Sequence, residues 1–260
     1  MTSKVRQKSR AHWQSRLIQA GFVAGVLLLW QIGTMGGQIS RVILPPPATV
    51  ATAFLDQIRT LAFVPDILVT LYELVVAFGI ASILGITAGY FISRSPFLVR
   101  VFDPLFAGIY SIPAILFFPL FVLSFGLGPA SKIAMGVTIS FFPIVMNTTA
   151  GFANVDRVLV TAARSMGASS YHMLRWILIP AAMPVIFTGL RIGFILALLA
   201  IIGSEALASF AGLGHRIVYH LESMNTDLMY AYIVLTIIVA VGLNLLVSYV
   251  ERRAKDSAHE

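Results

Sequence analysis

The sequence predicts an all-α polytopic membrane protein with about six spanning helices. Three observations predict this class: 58% of the 260 residues are hydrophobic, only 11% are charged, and six long apolar runs alternate with polar segments. A soluble domain has roughly a quarter of its residues charged. A hydrocarbon core of about 30 Å needs roughly 20 helical residues, which matches the lengths of these runs. With no cysteine, the chain has no disulfide framework, thiolate ligand or thiolate nucleophile.

The runs divide the chain as follows. A basic cytoplasmic N-terminus (1–16) precedes the transmembrane domain (17–250), and a cytoplasmic tail (251–260) follows it. The predicted spans are 17–35, 67–92, 101–125, 132–152, 185–208 and 228–250. A cytoplasmic coupling loop (153–184) separates the fourth span from the fifth. The first run is interpreted as a retained span, because its apolar stretch exceeds about 15 residues and no small-residue cleavage site follows it.

The loop cations predict the orientation. In this topology thirteen Lys and Arg residues are cytoplasmic, and four are external: Arg41, Arg59, Lys132 and Arg216. The positive-inside rule therefore places both termini in the cytoplasm. The net charge of +7 does not indicate a nucleic-acid partner, because the basic residues lie in loops between apolar runs rather than in a basic groove.

The stretch Thr161–Pro180, called here the coupling segment, predicts two short helices bent at a glycine. Asn154 is the expected N-cap of the first helix, and apolar residues then recur at 3/4 spacing as far as Met166. Gly167 supplies a C-terminal stop. An amphipathic loop lying on the bilayer would show the same periodicity, so the pattern alone leaves both interpretations open.

The second helix of the coupling segment is predicted from its cap and its end. Ser169 or Ser170 can cap it, and Tyr171 begins its apolar face. Pro180 is expected to move Ile179 out of the helical region and to end the unit.

The coupling segment resembles the EAA loop of bacterial ABC importer permeases. That pattern is Glu-Ala-Ala, three residues, Gly, nine residues, Ile, any residue, Leu, Pro. The matching positions here are Ala162, Ala163, Gly167, Ile177 and Pro180. Thr161 replaces the Glu and Ile179 replaces the Leu, so the family's carboxylate is missing while the helix-glycine-helix geometry remains.

Other stretches resemble the permeases of the nitrate, sulfonate and taurine importer family. They are the proline-rich segment 44–47, the run SIPAILFFPLFVLSFGLG at 111–128, and Glu205 followed by Gly212, Leu213 and Gly214. The resemblance covers the chain from about Leu44 to the sixth span. It implies the type I ABC importer transmembrane fold.

The resemblance also implies a function and partners. The chain would be a permease subunit, not an enzyme, in the bacterial plasma membrane, where it forms the translocation pathway with a second copy of itself among membrane lipid. Two nucleotide-binding ATPase subunits would bind ATP and Mg, and an external substrate-binding protein would deliver a small anion such as nitrate, a sulfonate or taurine, or a related organic compound. This chain has no GxxxxGK[ST] loop of its own and no expected cofactor. The residues expected to couple to the ATPase are Thr161, Ala162, Ala163, Gly167, Ser169, Tyr171, Ile177 and Pro180.

Four residues are candidates for the pathway or its gate: Pro113, Pro119, Arg191 and Glu205. The prolines are expected to kink the third span, which could line a pathway or simply improve packing. For Arg191, snorkelling to the interface and forming the inward mouth of an anion pathway both stay open. Glu73 and Glu205 lie near the outer ends of their spans, so both are expected to reach the interface. By resemblance, Glu205 would shape the outer gate.

Two further expectations concern packing and metals. Glycine pairs at four-residue spacing, which let helices approach closely, occur at 21/25, 85/89 and 189/193. The histidines and acids of the last external loop match no common zinc-ligand spacing, so no metal site is expected.

The alternative to an ABC permease is an ion-coupled secondary transporter. That mechanism usually requires intramembrane acids or histidines and often an internal repeat. The sequence shows no convincing repeat, and its acids lie at the edges of the spans.

Overall fold

The computed structural model describes residues 18, 21–22, 24–34, 40 and 42–256, and this part of the chain contains helices and no strand. The helices are α1 (Ala24–Thr34), α2 (Pro47–Thr60), α3 (Val64–Ser93), α4 (Pro96–Tyr110), α5 (Phe118–Phe125), α6 (Pro129–Ala153), α7 (Arg157–Ser165), α8 (Ser170–Met173), α9 (Ile179–Leu207), α10 (Leu213–Glu222) and α11 (Thr226–Asp256). The predicted N-terminus 1–16, part of the predicted first span and the last four residues of the tail lie outside the described residues.

Among the described residues, four helices are long and apolar enough to cross a membrane: α3, α6, α11 and the continuous helix Ser170–Leu207. A bent pair of helices, Pro96–Tyr110 with Ala114–Phe125, meets the same test of length and composition as one unit, and its two parts meet at 76°. The sequence had predicted one kinked span at 101–125. The break is sharper because Pro113 adopts an extended conformation between the two helices, with a ψ angle of 96°.

Pro119 does not kink a helix. It lies in the first turn of α5, where the missing N–H needs no acceptor and the fixed φ angle suits helix initiation. The helical conformation of α6 likewise continues past Pro143.

The chain divides into two units by its internal contacts: residues 1–62 with 217–234, and residues 63–216 with 235–260. In the larger unit α6 packs against both α3 and α9. Two of the predicted glycine pairs make these contacts. A Cβ atom at Gly85 would lie 2.7 Å from the Ile144 side chain, and one at Gly193 would lie 2.7 Å from the same residue. The third pair, at 21/25, has open space beside it among the described residues.

Adding a methyl group on α3 should therefore have opposite effects at two glycines. Gly85→Ala is expected to destabilise the protein by roughly 1–3 kcal/mol, because its Cβ atom overlaps Ile144. Gly79→Ala, which meets open space on the same helix, should stabilise it by roughly 0.5–1 kcal/mol through helix propensity. Thermal unfolding of the two purified variants in the same detergent measures the difference. Equal stability would contradict the proposed contact between α3 and α6.

In the smaller unit, hydrogen bonds hold the segment that carries the three consecutive prolines. Trp30 Nε1 donates to the carbonyl oxygen of Pro45 at 3.0 Å, and the Tyr230 hydroxyl donates to that of Ile43 at 3.1 Å. The two aromatic rings also contact each other, with centroids 5.9 Å apart. The Thr49 hydroxyl donates to Asp227 Oδ1 at 3.2 Å. The segment before α2 is thus anchored to the start of α11.

Candidate functional site

The first helix of the coupling segment begins two residues later than predicted. Asp156, rather than Asn154, is the N-cap of α7, and its Oδ1 accepts a hydrogen bond from the Val158 N–H at 2.8 Å. Asn154 instead lies at the C-terminal end of α6. Both side chains are good caps, and a carboxylate has the added advantage of a negative charge at a helix N-terminus.

The predicted bend at Gly167 is present. Gly167 has a φ angle of +78°, a conformation that glycine adopts without steric cost. The N–H groups of Gly167 and Ala168 donate to the last carbonyls of α7, at 3.0 Å each. Ser169 then caps α8, where its hydroxyl accepts from the His172 N–H at 3.3 Å and also bonds His172 Nδ1 at 2.8 Å. The turn between the two helices is therefore fixed by its own hydrogen bonds.

The prediction that Pro180 ends the second helix is wrong. A π-helical turn, Leu174–Leu178, connects α8 to α9, and Ile179 has helical φ and ψ angles of −62° and −54°. Pro180 lies in the first turn of α9, so the helix passes through it. The wider turn accounts for this, because Ile179 N–H donates to the carbonyl oxygen of Leu174 and the register has already changed before the proline.

Exposed large apolar side chains lie on the coupling segment and on the part of α7 that precedes it. Met166 is 86% exposed and Val158 is 71% exposed. Together with other exposed large apolar residues they form what we call the coupling patch: Val158, Leu159, Met166, Tyr171 and Trp176. Thr161 and Ala162 lie beside it in an open groove on α7. Exposed apolar clusters of this kind mark interaction surfaces.

A second group of functional candidates lies at the opposite end of the larger unit. Glu73 of α3, Lys132 of α6 and Glu205 of α9 are all buried, with exposures of 1%, 0% and 0%. The Glu73 carboxyl lies beside that of Glu205, and the Lys132 ammonium group interacts with both. The expectation that both glutamates reach the interface is therefore wrong. Lys132, counted among the external cations in the predicted topology, is also buried and lies near acids of α3 and α9.

Glu205 connects the spans to the loop that follows α9. Its Oε1 accepts from the Thr70 hydroxyl at 2.7 Å, and its Oε2 accepts from the Gly214 N–H at 2.8 Å. Thr70 in turn accepts from the Leu213 N–H at 3.0 Å. The Thr70 hydroxyl and the Glu205 carboxylate thus accept hydrogen bonds from two N–H groups in the first turn of α10. The N-terminal turn of a helix favours a negative charge such as that of Glu205.

Asp66 extends the same contact to the next turn. Its Oδ1 accepts from the Gly212 N–H at 3.3 Å, and its Oδ2 accepts from Arg216 Nε at 2.9 Å.

Lys132 Nζ donates to the carbonyl oxygens of Leu127 and Gly128, the latter at 3.1 Å. Lys132 thus fixes the loop before α6, while the acids fix the loop after α9. We call Asp66, Thr70, Glu73, Lys132, Glu205 and Arg216 the buried polar cluster.

Two glycines allow the loop to close over this cluster. Gly212 has a φ angle of +103°, and a Cβ atom there would overlap the Glu205 carboxyl. A Cβ atom at Gly214 would overlap the carbonyl oxygen of Ile202 and would lie 2.9 Å from Ala206 N. The two glycines therefore let the loop approach the Glu205 carboxyl closely enough for the Gly214 N–H to donate to it.

Most of the buried polar cluster was missed in the sequence, although one signal was present. Asp66, Thr70 and Glu73 recur at four- and three-residue spacing, which places three polar side chains on one face of an otherwise apolar helix. A polar face within a span indicates a buried partner. The partners themselves, Lys132 and Glu205, are distant in sequence and could not be assigned.

The remaining pathway candidates lie in separate places. Pro113 lines a cavity of about 240 Å³ at the break between α4 and α5, together with Tyr110, Ser111 and Phe142. Pro119 is not among its lining residues. Arg191 Nη1 lies 3.7 Å from Glu251 Oε2 on α11, so its charge is partly compensated. The structure does not bring Pro113, Arg191 and Glu205 into one site.

The long apolar helices define the class of a multi-span membrane protein. Residues 81–256 match the family described as binding-protein-dependent transport system inner membrane component. The chain belongs to this family, as a permease subunit of ABC importers of the nitrate, sulfonate and taurine group. This is a family of transport permeases, not of enzymes.

The relatives cover nearly the whole chain. The taurine transport system permease protein TauC of Escherichia coli (strain K12) is 31% identical, over 91% of this chain and 88% of that protein. The nitrate import permease protein NrtB of Synechocystis is 32% identical, over 86% of this chain and 82% of that protein. The riboflavin transport system permease protein RibX of Chloroflexus aurantiacus is 29% identical, over 97% and 94%.

Solved structures confirm the predicted fold. The inward-facing MetNI methionine ABC transporter matches with a TM-score of 0.62 at 20% identity, covering 75% of this chain and 95% of that chain. The all-α type I importer transmembrane domain is therefore the fold of this protein.

Proposed function

We propose that the chain forms the translocation pathway of an ATP-driven importer as a homodimer, and that the segment Thr161–Pro180 couples it to separate ATPase subunits. ATP and Mg would be bound by those subunits, and this chain would need no cofactor of its own. An external substrate-binding protein would deliver the solute, and both termini would be cytoplasmic. Closure of the ATPase subunits would move the two permeases between inward-open and outward-open states.

The observation that carries this proposal is the geometry of the coupling patch. Its apolar side chains are exposed, yet the turn between α7 and α8 is held by hydrogen bonds and by the positive φ angle of Gly167. A docking element requires such a fixed shape, because a segment that orders only on binding loses affinity to the cost of ordering. The continuous helix through Pro180 would transmit motion of the patch directly into α9.

The substrate class follows from the relatives. Permeases for taurine, aliphatic sulfonates, bicarbonate and nitrate are among them, together with one for riboflavin. We propose a small anion such as nitrate, a sulfonate or taurine, or a related organic compound.

The cavity at Pro113 is a candidate part of the pathway, with Pro119 starting the helix beyond it. Arg191, beside Glu251, is a candidate for the inward end.

Glu205 would contribute to the outer gate by positioning the loop and not by contacting substrate. Its carboxylate is buried and both oxygens accept hydrogen bonds from the chain.

The ion-coupled alternative is not favoured by the comparisons. In the buried polar cluster, Asp66 and Glu205 accept hydrogen bonds from backbone N–H groups, and Asp66 also accepts one from Arg216, which is a structural use of charge.

The proposal is tested by changing the bend. Gly167→Val forces a β-branched residue into a positive φ angle, so the coupling patch should lose its shape. We expect the variant to insert normally but to lose substrate-stimulated ATPase activity and transport when reconstituted with its ATPase subunits and binding protein. Gly167→Asn is the matched control, because asparagine tolerates this conformation and should retain most activity. Full coupling in Gly167→Val would contradict the role of the segment.

A further inference from the structure

A cleft of about 370 Å³ lies between the end of α3 and the coupling segment, on the side away from the coupling patch. One wall carries Tyr90, Ser93 and Arg94 of α3, and the opposite wall carries Arg164 of α7 and Ser170 of α8. The size of the cleft suits a small polar group better than a folded partner.

The charges around the cleft all have one sign. Two guanidinium groups and three hydroxyls line it, and within the described part of the chain no acidic side chain does. Arg94 is held in place by Tyr90, since its Nη1 donates to the Tyr90 hydroxyl at 3.3 Å and its guanidinium lies 5.7 Å from the ring centroid. The Tyr90 ring in turn packs on Phe152, with centroids 5.2 Å apart. The cation is thus oriented before any ligand arrives.

We propose that this cleft binds a phosphate-type oxyanion. Guanidinium groups match the geometry of phosphate oxygens, and hydroxyl groups supply further donors. Two sources share this chemistry: the headgroup of an anionic phospholipid and a free inorganic oxyanion. Phe152, Met173 and Leu178 also line the cleft, and these apolar side chains suit the headgroup, because a lipid brings apolar carbon next to its phosphate.

Occupancy would connect α3 directly to α7, which are linked along the chain through α4, α5 and α6. Arg94 belongs to a spanning helix, whereas Arg164 belongs to the last turn of α7, directly before the bend at Gly167. An oxyanion held by both would fix α7 to α3. The bound oxyanion would therefore restrict the movement of the coupling segment relative to α3. The coupling patch would remain free for docking.

Binding is tested on the full-length permease alone, so the result does not depend on coupling to an ATPase. Native mass spectrometry would compare phosphatidylglycerol with phosphatidylcholine, and isothermal titration with sodium sulfate would test the free oxyanion. Arg94→Ala and Arg164→Ala should each weaken binding about tenfold, as expected for loss of a charge-assisted hydrogen bond. Arg100→Ala, which removes another exposed arginine outside the cleft, should leave binding unchanged. Arg164→Lys keeps the charge and should recover part of the affinity.

Each outcome decides the proposal. Phosphatidylglycerol binding that both cleft variants weaken supports a lipid source, and sulfate binding with the same dependence supports a free oxyanion. Absence of both, or an equal loss in Arg100→Ala, would overturn the site. So would cleft variants that keep anion binding but no longer copurify with the ATPase subunit, since the arginines would then recognise an acidic protein segment.

Discussion

Replacing Lys132 by methionine is expected to destabilise the folded permease by roughly 3–5 kcal/mol, because the buried carboxyl groups lose a neighbouring cation and two backbone carbonyls lose their donor. Methionine preserves most of the side-chain length but leaves the carboxyls of Glu73 and Glu205 facing each other without their cation. Glu73 Oε2 already has no hydrogen-bond donor among the described residues. The Leu127 and Gly128 carbonyls would also lose their donor. Thermal unfolding in detergent, with the pH held constant, measures the effect.

A double variant separates charge from packing. Glu73→Gln combined with Lys132→Met removes one charge of each sign, so the net charge of the buried polar cluster is unchanged. We expect it to recover a large part of the lost stability, because replacing both members of a buried pair is often near neutral. If the double variant were as unstable as Lys132→Met, the lysine would act through its two carbonyl contacts and not through the acids.

The sequence predicted those features of the fold that depend on local composition. Apolar runs of sufficient length predicted the helical membrane class, and Gly167 predicted the bend, since a positive φ angle needs nothing beyond the residue itself. The glycine pairs on α3 and α9 indicated close packing, although the pattern could not show that both face α6. The family resemblance rested on such local signals, and the comparisons confirm it.

The features that the sequence missed depend on contacts between distant residues. Lys132 and Glu73 are 59 positions apart, so a lysine at the start of a span looked like an interfacial charge. Only the packing of α3, α6 and α9 shows that it is buried. The helix through Pro180 depends on a π-helical turn that no residue type announces. The N-cap was misplaced by two residues because Asn and Asp are both favoured at this position and the two residues lie close together in the sequence.

The contact between Glu205 and the loop after α9 can be tested by adding a single methyl group to that loop. In Gly214→Ala the new Cβ atom would overlap the carbonyl oxygen of Ile202, and the backbone on both sides of the contact leaves it no space. The start of α10 must then move away from α9, so the hydrogen bond from the Gly214 N–H to Glu205 is broken. Overpacking and the loss of a charge-assisted hydrogen bond together should cost roughly 3 kcal/mol.

Gly203→Ala is the matched control for this change, because it adds the same methyl group to α9 at a position with open space around it. It should be neutral or slightly stabilising. Hydrogen exchange should report faster exchange at residues 212–214 in Gly214→Ala only, and transport should fall with it if the loop contributes to the gate. Unchanged protection of the Gly214 N–H would mean that the loop does not rest on Glu205, and the positioning role of that carboxylate would then be lost even if the fold itself stood.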